Sequence, residues 1–257
     1  ENVPQNAAAY WSVVLNPLDF TNDEQVYAAT SQPIRTFSFI NSDIVVRFSN
    51  SERVLRYTGD ENQPFRWDKT NNAWQCDAPY TAVNYDSYYT SVGKPAIVAS
   101  DGVNVKRADE IIPDFTDPYR LVQDLPVPFM NQTSIQQCYG ERFDDIKEGW
   151  ICYNSSPNTE STTTASDNVL SFNYLDNTYA VYEFPFSCLG LGTIFQVNTW
   201  GDTFDQWQDM GMAWASYQDN FNPLIDLGGD QYNWVYQLNV GNTLTVAGAL
   251  ETIPTPV

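Results

Sequence analysis

Ala96-Ile97-Val98-Ala99-Ser100-Asp101-Gly102-Val103-Asn104-Val105-Lys106 is the stretch that decides the fold. A short apolar run meets Asp-Gly, and a second run then alternates polar and apolar residues. A tight hairpin turn needs positive φ, which glycine adopts freely, so Asp-Gly between two such runs is a strong hairpin signal.

The same period-two pattern extends outward in both directions. Upstream, Ile44-Val45-Val46-Arg47-Phe48 is rich in β-branched residues. Arg53-Val54-Leu55-Arg56-Tyr57-Thr58 alternates, and Gly59-Asp60-Glu61-Asn62 turns. Downstream, Trp150-Ile151-Cys152-Tyr153 leads into a polar stretch, Asn154 to Asn168, read as an exposed loop within a hairpin. Val169 to Tyr174 and Tyr179 to Phe184 flank the turn Leu175-Asp176-Asn177-Thr178. Trp234 to Leu238 follows Gly228-Gly229-Asp230, read as a turn. Helical spacing is partial only around Phe204 to Tyr217, where Gly211 interrupts it, so loop or strand is expected there. Short strands punctuated by turns predict an all-β fold.

Strand groups fall near residues 36–68, 80–108, 134–186 and 193–240. Each is about the size of a four-stranded β-propeller blade. Residues 1–34, with Pro4, Pro17 and Pro33, are expected to form an N-terminal arm or linker with one short strand near Trp11–Leu15. Residues 35–250 are the expected propeller region, about four blade-like groups forming a ring or part of a larger one, and 251–257 a tail. Thr116 to Pro128, with three prolines, reads as a boundary between groups of strands.

Composition narrows the function. The 257-residue chain has no histidine, which removes Ser-His-Asp and Cys-His catalysis and the HExxH zinc site. Twelve Lys+Arg against 32 Asp+Glu give a net charge of −20, a field that repels nucleic-acid phosphates and anionic lipid. Hydrophobic residues make up 42% of the chain, too many for disorder. No apolar run approaches the ~20 residues of a membrane-spanning helix, so a soluble chain is expected. It opens on Glu1, which reads as a processed or partial polypeptide, and no signal peptide is visible.

Cys76, Cys138, Cys152 and Cys188 match no zinc spacing and read as four small buried hydrophobes, with a Cys138–Cys152 bridge open if those residues lie on adjacent strands. Asn131-Gln132-Thr133 and Asn154-Ser155-Ser156 fit the glycosylation sequon and are read as chance matches. Paired carboxylates are the remaining catalytic option: Asp144-Asp145, Asp202/Asp205/Asp209 and Asp109/Glu110/Asp114. In a chain with 22 Asp and 10 Glu such clusters arise by chance on a solvated face. No EF-hand loop and no phosphate-binding glycine loop is present, and no cofactor or metal is expected.

Four phrases, read in order, resemble the β-propeller of tail nozzle or hub proteins of short-tailed bacteriophages. The first is Ile44–Phe48 followed by Arg53 to Asp60 and Pro64-Phe65-Arg66-Trp67. The second is Ala99 to Val103 with Asp109-Glu110-Ile111-Ile112-Pro113-Asp114-Phe115. The third is Asn168 to Tyr179, and the fourth Gly228-Gly229-Asp230 with Trp234 to Leu238. Together they cover residues 36–240. Members of that family are usually much longer, with a platform region that has no counterpart here. The resemblance implies a structural virion protein of a phage tail tip and no enzyme. It would form a homo-oligomeric ring, a hexamer, with other tail proteins, and genomic DNA would pass without specific binding. The alternatives are a carbohydrate- or receptor-binding propeller and a glycoside hydrolase. Strand aromatics are read as core. Loop aromatics are the recognition candidates, Tyr88, Tyr89, Trp207 and Trp214 foremost, with Tyr85 and Trp200 beside them.

Overall fold

The computed structural model describes residues 7–12, 16, 18–20, 25–60, 63–71, 74–110, 112, 130–155, 166–193, 224–238, 243–246 and 249–252. It divides into two compact units, residues 1–187 and 188–255. Among the described residues there is no α-helix, only strands and a single 3-10 turn at Ile135–Gln137. The all-β expectation is met.

After β1 (Ala8–Tyr10) and β2 (Gln25–Tyr27), the first unit runs as three successive four-stranded antiparallel meanders. The first comprises β3 (Ile34–Ile40), β4 (Asp43–Phe48), β5 (Glu52–Tyr57) and β6 (Phe65–Asn71). The second comprises β7 (Ala78–Asn84), β8 (Tyr89–Val92), β9 (Ile97–Ser100) and β10 (Val105–Arg107). The third comprises β11 (Tyr139–Phe143), β12 (Glu148–Tyr153), β13 (Asn168–Asn173) and β14 (Thr178–Tyr182). Their bounds follow the first three groups of alternating residues.

The second and third meanders join through a parallel pairing of their first strands, Tyr80 opposite Tyr139, into one eight-stranded sheet in the order β10-β9-β8-β7-β11-β12-β13-β14. The first strand of the first meander also lies against β7, where Asn84 Nδ2 donates to the Phe39 carbonyl at 2.5 Å. The eight-stranded sheet curls into a half-barrel. On its outer strand β14, the Tyr179 hydroxyl donates to the Ala108 carbonyl, just past β10, at 2.6 Å. Val92, Ile97, Ile151, Tyr153 and Leu170 fill the enclosed core, with Met130, Ile135 and Cys138 from the segment before β11. A side chain of that size contributes about 1.5–3 kcal/mol when fully buried.

Local chemistry explains the turns. Gly102 takes φ 81°, and Asp101 Oδ1 accepts the backbone N–H groups of Val103 and Asn104 at 2.8 and 2.6 Å. Asn41, Asp86 and Asn177, at φ 54°, 67° and 58°, serve the β3–β4, β7–β8 and β13–β14 turns, as short polar side chains tolerate the left-handed region.

One ionic cluster ties the first meander to the second. Arg47 on β4 and Glu52 on β5 pair at 3.1 Å with both side chains at 0% exposure. Glu52 also accepts the Tyr89 hydroxyl from β8 at 2.7 Å and the Ser100 hydroxyl from β9 at 2.6 Å.

Described residues of the N-terminal segment pack on the first meander. Strand β1 at Ala8–Tyr10 pairs with β2, Trp11 and Ser12 lie outside it, and residues 13–15 fall outside the described residues. Trp67 Nε1 donates to the Val26 carbonyl, Arg53 Nη2 donates to the Ala29 carbonyl, and Ala7 and Ala28 pack on Val46 and Phe48.

The second unit holds a five-stranded sheet of β15 (Phe186–Thr193), β16 (Leu224–Asp230), β17 (Val235–Gln237), β18 (Thr243–Val246) and β19 (Ala249–Thr252), in that order. Gly228-Gly229-Asp230, expected as a turn, belongs to β16, and the chain reverses at 231–233 with Asn233 at φ 69°. Asp230 Oδ1 accepts the N–H groups of Tyr232 and Trp234, which holds that turn. Gly229 is needed for proximity, since a Cβ there would stand 2.8 Å from Cys188 Sγ.

None of the four cysteines forms a disulfide, so the Cys138–Cys152 bridge is not made. Cys76, Cys138 and Cys152 are buried as expected, and burial pushes the Cys138 thiol up to about 12. Cys188 is exposed, a correction to the expectation of four buried thiols. The sequon asparagines Asn131 and Asn154 are 2% and 3% exposed. The Asn131 N–H donates to the Asn154 carbonyl, so neither side chain is offered to a glycosylating enzyme in the folded chain.

Candidate functional site

A concavity among the described residues of the first unit has a volume of about 680 Å³, within the ~300–1,000 Å³ of ordinary ligand sites. It opens where the β8, β9 and β10 end of the curled sheet comes near the β13–β14 hairpin. Tyr88, Phe172 and Tyr174 supply its aromatic surface, and Thr90, Lys106 and Glu110 supply polar groups.

Tyr85 holds the aromatic wall in place. Its ring stacks on Tyr88 at 4.9 Å and 21°, meets Phe172 edge-on at 6.0 Å, and tilts against Tyr174 at 5.2 Å. Burial pushes the Tyr85 and Tyr88 hydroxyls up from their ordinary values, so both rings are neutral donors at physiological pH. Tyr174 is held from outside: the Arg142 guanidinium sits 5.2 Å from its ring centre and its hydroxyl donates to Asp144 at 3.0 Å. Arg142 also pairs with Asp144 at 2.6 Å and Asp86 at 3.0 Å, and donates to the Asn84 carbonyl.

The recognition candidates separate sharply. Tyr88 lines the cavity and is half-buried. Its neighbour Tyr89 points to the opposite face of the strand and is 0% exposed, with its hydroxyl given to Glu52, so it has no surface for a ligand. Tyr85 is buried behind Tyr88. Trp200, Trp207 and Trp214 lie outside the described residues. The sequence reading did not single out Phe172, Tyr174, Lys106 or Arg142 for this site. Only their positions across the curled sheet bring them together.

Asp109 and Asp144, from two of the expected clusters, are structural. Asp109 is fully buried, paired with Arg107 and accepting the Ile97 N–H at 3.3 Å. Burial pulls Asp144 upward, but its hydrogen bonds from Arg142 and Tyr174 outweigh this and hold it below the usual carboxylate range. Asp101, at the cavity rim, is lowered by the backbone N–H of Asn104 and then of Val103. Asp114, Asp202, Asp205 and Asp209 fall outside the described residues. Among the described residues no group of three or more carboxylate, thiol or imidazole side chains is placed to hold a metal ion, and no helix is long and apolar enough to cross a membrane.

One carboxylate shifts the other way. Glu141 on β11 is half-buried, and burial raises it above its ordinary 4.5 against hydrogen bonds from Arg142 and Tyr139. A raised folded-state value means the fold binds this proton more tightly than the unfolded chain does. The site therefore favours folding below that range and works against it once Glu141 ionises. Glu141→Gln is expected to raise the urea midpoint at pH 7, with the gain vanishing below about pH 4. An equal gain at both pH values would refute the assignment.

No protein-family model matches the chain, and no match is found among curated protein sequences.

Proposed function

We propose that the chain is a structural component of a phage tail tip. It would be a propeller-type subunit of the nozzle or hub around the DNA-exit channel, located in the virion and not an enzyme. The observation that carries this reading is the succession of three four-stranded antiparallel meanders with β3, β7 and β11 side by side. Propeller blades are four-stranded sheets of this kind arranged around a centre. Three of the four phrases that resemble tail nozzle proteins begin within these same meanders, and the fourth lies on β16 and β17 of the second unit.

Two further observations support the reading. Phe37, Phe39 and Tyr80, on β3 and β7, are more than half exposed, apolar surface of the kind that marks contact with neighbouring chains in an assembly. The chain carries −20, and Arg47, Arg56, Arg66, Arg107 and Arg142 are already paired with carboxylates. Cations so engaged are poor partners for phosphate, which suits a surface that DNA passes without sticking. Asp109 and Asp144, both held by arginine, suit a scaffold better than acid–base catalysis.

The test is the position and copy number of the chain in intact particles, by electron cryomicroscopy and quantitative mass spectrometry. A ring of copies at the tail tip, a hexamer, is the expected result. A single monomeric copy, or absence from the particle, would overturn the proposal.

A further inference from the structure

We infer that the cavity between the β8–β10 strands and the β13–β14 hairpin binds a neutral saccharide. This is a recognition role separate from the scaffold role, and it stands or falls independently of it.

A sugar ring presents a flat face of C–H bonds and a rim of hydroxyls. A site for it needs an aromatic surface and several hydrogen-bonding groups that are not already committed. Both are present. Tyr88 keeps one ring face against Tyr85 and turns its remaining surface to the cavity, alongside Phe172 and Tyr174. Because Tyr85 is wedged among Tyr88, Phe172 and Tyr174, the platform is rigid before any ligand arrives. The Thr90 hydroxyl, buried at the cavity wall beside Tyr85, makes no hydrogen bond of normal geometry. A buried hydroxyl left in that state is unfavourable.

The charges select the class of sugar. Among the described residues Lys106, which lines the cavity, has no carboxylate partner, and Glu110, which also lines it, has no cation partner. The other two charged groups are spent: Arg107 on Asp109, and Asp101 on the turn amides. Among the described residues one unpaired cation and one unpaired anion line the cavity, so an anionic or cationic ligand gains from one and is opposed by the other. A neutral sugar accepts from Lys106 and donates to Glu110 without that conflict. An apolar ligand would leave these groups desolvated and unpaired.

The experiment is saturation-transfer NMR on the full 257-residue chain with a panel of neutral mono- and oligosaccharides of glucose, galactose, mannose and N-acetylglucosamine. Glucuronate and sialic acid form the anionic arm. At least one neutral sugar is expected to bind at about 10 mM, in the weak range typical of a small polar ligand. Tyr88→Ala is expected to weaken it roughly tenfold, the scale of one lost ring contact. Ser87→Trp, at an exposed position on the cavity mouth, is expected to abolish it. Melting curves confirm that each variant is folded, and Ser87→Trp keeps the test decisive if Tyr88→Ala is destabilised. Silence across the neutral panel, binding of the anionic sugars alone, or binding unchanged in both variants would each overturn the assignment.

Discussion

Glu52→Leu is expected to abolish cooperative folding of the first unit, or to lower its urea midpoint by at least about 1 M. The reason is the charge it leaves behind. Arg47 is 0% exposed, and its remaining contacts are weak: Nη2 reaches the Gln75 carbonyl at 3.4 Å, and Nε has no partner. Removing one member of a buried pair typically costs about 3–5 kcal/mol, because the other charge stays desolvated. The Tyr89 and Ser100 hydroxyls lose their acceptor as well, and a stranded buried polar group costs about 1–3 kcal/mol. A domain has only about 5–15 kcal/mol in total. The cluster spans two meanders, so the loss falls on the joint between them. A discriminating control replaces three of the four cluster members: Arg47→Met with Glu52→Leu and Tyr89→Phe removes both charges and the tyrosine hydroxyl, while Ser100 Oγ still accepts the Gly102 N–H. It is expected to recover most of the lost midpoint, since apolar replacements of buried pairs are often neutral or stabilising. A midpoint for Glu52→Leu within about 0.3 M of the parent would show that the cluster does not hold the meanders together.

This cluster also marks where sequence reading ends. Alternation and turn chemistry are local, and both are written in the chain: Asp101-Gly102 and Asn177 turn where their backbone preferences place them, and the first three strand groups fall close to their expected bounds. Arg47 sits inside the apolar run Ile44–Phe48, and a cation in a strand buried on both faces demands a partner. Nothing local says the demand is met by Glu52 on the next strand and by Tyr89 and Ser100 on another meander. Tyr88 and Tyr89 show the same limit. Their opposite fates follow from strand parity, but which of the two faces the core depends on register with β9. Gly228-Gly229 reads as a turn because glycine permits one, whereas close approach to Cys188 is what its position in β16 requires. The cavity itself is not local at all. Lys106 and Tyr174 lie on segments far apart in sequence and meet only because the sheet curls.

Gly149→Ala is expected to damage the fold and the cavity together, and it links the two. A Cβ at Gly149 would stand 1.8 Å from the Tyr85 hydroxyl and 2.8 Å from its Cζ. One side must move. The backbone is poorly placed to do so, because Gly149 lies on β12 paired to Arg142 on β11 and to Phe172 on β13. The Tyr85 ring then has to shift, and it is packed by Tyr88, Phe172 and Tyr174 on its other sides. Overpacking of this kind costs about 1–3 kcal/mol. For a unit of this size that is a fall in Tm of roughly 2–12 °C. The displaced ring carries Tyr88 with it, so the aromatic wall is lost even in the molecules that fold. Tyr85→Phe in the same chain removes the atom at 1.8 Å and leaves the contact at 2.8 Å, so it is expected to restore part of the Tm but not all. A melt of Gly149→Ala within about 1 °C of the parent, or no coupling between the two substitutions, would mean that Tyr85 is free to rotate away. The rigid platform assigned to the cavity would then not exist, and Tyr88 would have to hold a ligand with no support behind its ring.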